Sequence, residues 1–214
     1  MRHGCHDAQA EHYDERVARH LGDYIRENYF GVLDRVIGCA ELAPGQSVLD
    51  IGVGTGLLPE RVKVDVAYYG IDISGSMMKK TRSKGLQLRL SYGCFQAIPF
   101  REASFDRVVS SFAFHHLGPE EKERSYREMD RVLRPGGRIV IGDFMFQDEK
   151  QREDLVGTFE SEGRKDMIEE LNEESFLDLS HDVPLLERLG YAIEYERLST
   201  LSWVLACRRR SGSV

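Results

Sequence analysis

The run Val48-Leu49-Asp50-Ile51-Gly52-Val53-Gly54-Thr55-Gly56 constrains this chain more than any other segment. An apolar strand runs straight into three glycines at alternate positions. Glycine lacks the Cβ that would hold a ligand away from the backbone or forbid a positive φ, so such a turn lets the chain close around a bound group. A second apolar run, Val66-Ala67-Tyr68-Tyr69-Gly70-Ile71, ends at Asp72, 72 − 52 = 20 residues beyond Gly52. An acidic side chain at that strand tip accepts hydrogen bonds from a ribose diol. Together the two signals read as the adenosine-binding first half of a doubly wound sheet.

Strand and helix signals alternate along the rest of the chain. Apolar residues recur at three- and four-residue steps over 8–43, predicting helix, and Ala43-Pro44-Gly45 stops it. Strands are expected near 47–51, 67–71, 86–91, 107–111 and 138–142. The helix predicted over 119–133 starts at Pro119 and ends before Arg134-Pro135-Gly136-Gly137, which makes a β-α-β crossover into the strand that follows. Glu- and Arg-rich helical material over 151–180, a helix over 183–189 and a strand hairpin over 191–197 and 201–207 complete the pattern. The expected fold is α/β, Rossmann-like and mostly parallel, with helices on both faces and a terminal hairpin supplying an antiparallel edge. The expected division is a helical cap over 1–43, a main domain over 44–208 with a helical insertion at about 148–180, and a tail over 209–214.

Composition narrows the partners. A net charge of −7 argues against nucleic acid, which demands a basic face, and the one basic run, Arg208-Arg209-Arg210, reads as a solvated tail. No apolar run reaches the roughly 20 residues that span a bilayer, and the first residues lack an apolar signal segment. Cys5, Cys39, Cys94 and Cys207 form no C-x-x-C pair, so the expectation is a reduced, cytoplasmic protein without disulfide or zinc knuckle. His3, Cys5 and His6 are read as a leader, and no metal is assigned. Nothing in the sequence sets the oligomeric state.

The glycine spacing differs from the dinucleotide fingerprint, whose last glycine falls one residue later, and no tyrosine has a lysine four residues on. Adenosine without pyrophosphate is therefore favoured. VLDIGVGTG, YYGIDISGSMM, AIPF with SFDRVVSSFAFHHL, and EMDRVLRPGGRIVIGDF stand in the order and spacing of the class I S-adenosylmethionine-dependent methyltransferases. The chain resembles that family over about residues 10–208, most closely its small-molecule branch of UbiE-like and YrrT-like enzymes. The resemblance implies a seven-stranded sheet with its last strand antiparallel, S-adenosylmethionine as cofactor, and a small-molecule acceptor methylated on O, N, S or carbon. It also implies a cofactor-contacting set of Asp50, Gly52, Gly54, Gly56, Asp72, Ile73, Met77, Cys94, Phe95, Ser111 and Tyr13.

Within that set, Gly52 to Gly56 face the methionine part, Asp72 the ribose, and Tyr13 belongs to an N-terminal lid. One departure stands out: Gly93-Cys94-Phe95 replaces the family's Gly-Asp, and a thiol is a weak acceptor for adenine. His115 and His116, just past the fourth strand, are the candidate catalytic residues, because histidine titrates in the range useful for removing an acceptor proton. Adjacent residues on an extended segment point to opposite sides, so one is expected to meet substrate, with His115 preferred. Asp143, also at a strand tip, reads as a helix cap or a partner for a cationic group, and Tyr24 and Tyr29 are weaker acceptor-pocket candidates. Two alternatives stand beside the enzyme reading: a non-catalytic cofactor-sensing or partner-binding module, suggested by Cys94, and an NAD-dependent oxidoreductase, suggested by the glycine loop with Asp72.

Overall fold

The computed structural model describes residues 10–19 and 23–210, so His3, Cys5 and His6 and the last four residues lie outside it. After a 3-10 turn (Ala10–His12) come α1 (Tyr13–Arg19) and α2 (Tyr29–Ala40), then β1 (Ser47–Ile51), α3 (Leu57–Arg61), β2 (Ala67–Asp72), α4 (Gly75–Ser83) and β3 (Leu88–Tyr92). β4 (Phe105–Ser111), a second 3-10 turn (Phe114–His116), α5 (Pro119–Val132) and β5 (Leu133–Phe146) follow. The chain then forms α6 (Glu149–Ser161), α7 (Lys165–Glu173), β6 (Leu177–Asp178), α8 (Leu179–Arg188), β7 (Tyr191–Arg197) and β8 (Ser202–Arg209).

The sheet runs β3-β2-β1-β4-β5-β8-β7. Its pairings are parallel except where β8 lies antiparallel between β5 and β7. One expectation is corrected here. The sheet has eight strands rather than seven, because two-residue β6 adds to the end of β5. The terminal hairpin supplies the antiparallel edge as expected: β8 enters between β5 and β7, burying Trp203, Val204, Leu205 and Cys207, and leaves β7 outermost.

Alternating strand residues divide the core in two. Leu49, Ile51, Val108, Ile139 and Ile141 face Tyr126, Met129 and Val132 of α5 and Leu186 of α8. Val48, Val109, Val140 and Val204 face Val32, Leu33 and Val36 of α2 and Phe159 of α6. Gly142 of β5 makes the second layer tight, since a Cβ there would stand 2.5 Å from Val36 Cγ2 and 2.8 Å from Val32 Cγ1.

The single helix expected over 8–43 is broken. Asp23 Oδ1 accepts from Arg26 N at 2.7 Å, an Asx-type turn, and Asn28 before α2 sits at φ +57°, where asparagine is tolerated. Arg209, expected in the tail, ends β8 and pairs with Asp130 at 3.0 Å. No helix among the described residues is long and apolar enough to cross a membrane.

Candidate active site

The corner where β1 and β2 end is built by backbone geometry. Gly52 N and Val53 N both donate to Ile71 O, at 2.9 and 3.1 Å, so the chain leaves β1 still tied to β2. Gly52, Gly54 and Gly56 lie at φ +75°, +55° and +84°, a region costly to any residue with a Cβ. At Gly52 a Cβ would also come within 2.5 Å of Ala113 Cβ, so the glycine lets the β1 and β4 tips meet. Gly54 N donates to Asp72 Oδ2 and Ser74 N to Asp72 Oδ1, both at 2.8 Å, which aims the carboxylate at the loop. Ile73 occupies the bend after β2, and Met77 is buried in the first turn of α4, its N–H donating to Ser74 Oγ at 3.1 Å.

Asp50 lies under this corner and is 1% exposed. Its Oδ2 accepts from the Tyr68 hydroxyl at 3.1 Å, while Oδ1 has no hydrogen-bond partner. Burial pushes its pKa up to about 7, Tyr68 partly opposing and the charge of Asp72 adding to the rise. Phe95 approaches Gly52 and packs edge-on against Phe114 with centroids 5.2 Å apart. Cys94 bridges to Ala97, so the turn after β3 closes without the acidic residue. Ser111 ends β4, paired with Gly142.

Helix α1 is pinned across the glycine loop. Asp14 accepts from Thr55 Oγ1 at 2.5 Å and pairs with Lys84 at 2.8 Å. The Tyr13 hydroxyl meets that of Tyr29 at 3.3 Å, and Tyr29 stacks on Phe112 with centroids 4.3 Å apart. Phe112 takes φ +48°, a conformation costing about 1–3 kcal/mol, which turns the chain out of β4 and sets this ring stack.

Asp143 organises the other side. Fully buried in β5, its Oδ2 accepts from the N–H groups of Ala113, Phe114 and His115 at 3.1, 2.7 and 3.3 Å, capping the 3-10 turn from a neighbouring strand. Its Oδ1 accepts from His115 Nδ1 at 2.5 Å and from Phe144 N at 2.8 Å. Burial alone would raise the Asp143 pKa, but the His115 charge and these hydrogen bonds hold it below the usual carboxylate range. Burial likewise lowers the His115 pKa, and Asp143 outweighs it to give a net rise. Nδ1 is thus the protonated nitrogen, and Nε2 on the opposite ring edge carries the lone pair of the neutral form.

His115 is 6% exposed, whereas His116 is exposed and pairs through Nδ1 with Glu174 Oε2 at 2.9 Å. The two histidines differ in burial, but they lie on a 3-10 turn rather than an extended segment, and their ring centroids are only 4.0 Å apart. Several residues around His115 escape sequence reading. Phe144 and Phe176 pack on its ring at 4.8 and 6.3 Å, and Ser175 N donates to His115 O at 2.9 Å. Lys122 holds that segment from behind, donating to Ser175 O at 2.5 Å and Phe176 O at 3.0 Å. Only the lysine's place in a helix otherwise carrying exposed charge could have signalled it. A cavity of about 350 Å³ beside this cluster is lined by Phe146, Arg152, Glu174, Phe176 and Asp178 among others.

Comparison with known proteins agrees with this fold. Residues 49–141 match the model of the methyltransferase domain family. An uncharacterised methyltransferase of Geobacillus kaustophilus is 30% identical over 199 residues, covering 92% of this chain and 91% of the relative. Among solved structures, a methyltransferase in complex with the Haloferax volcanii Trm112 activator superposes with a TM-score of 0.70 at 17% identity, covering 95% of this chain and 97% of that one. DhpI, solved as a complex with SAM and HEP, gives a TM-score of 0.70 at 17% identity, covering 95% and 94%.

Proposed function

Since the chain belongs to the class I S-adenosylmethionine-dependent methyltransferases, we propose that it transfers the cofactor's methyl group to a small molecule bound beside His115. The oxidoreductase alternative falls with that membership; the non-catalytic alternative, which keeps the same fold, is separated by the single-turnover test below. The observation that carries the cofactor half is Asp50 Oδ1: a buried acceptor with no partner, beneath a turn of positive-φ glycines, suits the ammonium group at the methionine end. Asp72, anchored by two backbone N–H groups, suits the ribose hydroxyls. Bound there, S-adenosylmethionine supplies an electrophilic methyl on a sulfonium. Asp14 of α1 accepts from Thr55 in the loop and Tyr13 beside it meets Tyr29, which supports a covering role for α1.

On the acceptor side, His115 is held in one tautomer and orientation by Asp143, so its Nε2 lone pair is presented without rotamer loss. Phe112, Phe144 and Phe176 wall this side with apolar surface. An open hollow of about 350 Å³ that shares Glu174 and Phe176 with this cluster is of small-molecule size, and the −7 net charge disfavours a nucleic-acid partner. Cys94, which breaks the family pattern, sits in an intact turn beside Phe95, supporting retention of adenine through backbone and ring contacts.

Calorimetry with S-adenosylhomocysteine tests the cofactor half: the protein should bind it, and Asp72→Ala should weaken binding by about 1.5–3 kcal/mol, the worth of hydrogen bonds to a charged acceptor. Single-turnover reactions with methyl-labelled cofactor and a small-metabolite extract test the acceptor half. Label passing only to macromolecules would overturn it.

A further inference from the structure

We propose that His115, His116 and Glu174 hold a divalent transition-metal ion. One donor atom from each of the three lies within 4.8 Å of the others. His116 Nδ1 and Glu174 Oε2 are 2.9 Å apart. Two donors at right angles about an ion with bonds of about 2.1 Å would be separated by about 3.0 Å. The His115 and His116 rings have centroids 4.0 Å apart, so both imidazoles stand beside Glu174, and the widest donor pair need close only to about 4.2 Å for all three to share one ion. Two imidazoles and a carboxylate are a donor set for zinc, iron, cobalt or manganese, whereas calcium and magnesium prefer oxygen throughout.

The surroundings match what metal-binding histidines require. A ligating histidine donates its other ring nitrogen to a carboxylate, and His115 Nδ1 does so to the fully buried Asp143. Glu174 is fixed through its neighbour, because Ser175 N bonds His115 O while Lys122 holds the Ser175 and Phe176 carbonyls. The side chains of His116 and Glu174 are 35% and 21% exposed, so an ion has a way in.

Three protein ligands leave coordination positions for water or a substrate oxygen. The inference rests on the methyl-transfer reading for what takes those positions, namely an acceptor bearing a hydroxyl. Coordination lowers the hydroxyl pKa and its proton leaves to water. The oxygen lone pair then forms the O–C bond as the C–S bond breaks, with that electron pair remaining on sulfur.

The test uses the full-length untagged chain, stripped with chelator, titrated with Zn²⁺ by calorimetry and with Co²⁺ by visible absorption. One ion per chain should bind, with d–d bands for Co²⁺. Glu174→Gln and His116→Ala should each weaken it by at least about 10-fold, with S-adenosylhomocysteine affinity unchanged. No binding, or binding that both substitutions leave untouched, as at His3, Cys5 and His6, would overturn the site. Failure of the unsubstituted protein to bind S-adenosylhomocysteine would instead strike the methyl-transfer reading, so the two failures are distinguishable.

Discussion

Replacing Asp50 by Asn should make the protein progressively more stable than the parent as pH rises from about 5 to about 8, while weakening cofactor binding. The carboxyl is buried, one oxygen is unpartnered, and its pKa of about 7 stands well above the ordinary 3.8. Below about pH 4 the group is protonated both folded and unfolded, and contributes no difference. Between there and about pH 7 the unfolded chain releases the proton while the folded chain keeps it, so stability falls by about 1.4 kcal/mol per pH unit and levels off once Asp50 ionises in place. Asn cannot ionise and still offers an oxygen to Tyr68. Its buried amide N–H groups add a constant cost of about 1–3 kcal/mol, which cancels when one pH is compared with another. The stability difference between D50N and the parent should therefore shift by about 3 kcal/mol in favour of D50N from pH 5 to pH 8. Urea denaturation at each pH reads it directly, the difference appearing in the midpoint at unchanged slope. The same variant should bind S-adenosylhomocysteine more weakly, having lost the charge facing the ammonium. A stability difference flat between pH 5 and 8 would refute the burial argument, and unchanged cofactor affinity would refute the role given to Oδ1.

Two further perturbations probe how the site is held. Gly142→Ala places a methyl 2.5 Å from Val36 Cγ2 in a layer with no room and should cost about 1–3 kcal/mol in urea denaturation; Val36→Ala in the same background should restore part of the loss. Lys122→Met leaves the buried carbonyls of Ser175 and Phe176 without their donor and should destabilise by about 1–3 kcal/mol per carbonyl. Because it loosens the segment beside His115 and not the glycine corner, S-adenosylhomocysteine binding should persist while the melting temperature falls.

The glycine corner was legible in the sequence because its determinants are local. Three glycines within five residues set their own turn, and Asp72 ends the strand whose backbone receives that turn at Ile71 O. Strand positions came through for the same reason, since β1 and β7 are bounded by residues beside them. The surroundings of His115 were not legible, because distant parts of the chain supply them: Asp143 reaches His115 across 28 residues, Glu174 reaches His116 across 58, and Lys122 braces Phe176 across 54. Periodicity could say that one of two adjacent histidines turns inward. Which one turns inward depends on the carboxylate in the next strand. The break before α2 was hidden too, because the apolar spacing continues through Asn28 while the backbone turns there. This asymmetry has a chemical consequence. A segment such as α6 to β6 can change its side chains, and with them Glu170, Glu174 and Phe176, without touching any residue of the glycine corner. Relatives sharing the corner can therefore bind the same cofactor and methylate different acceptors, so specificity should follow the substitution of residues 149–178 and cofactor affinity should not.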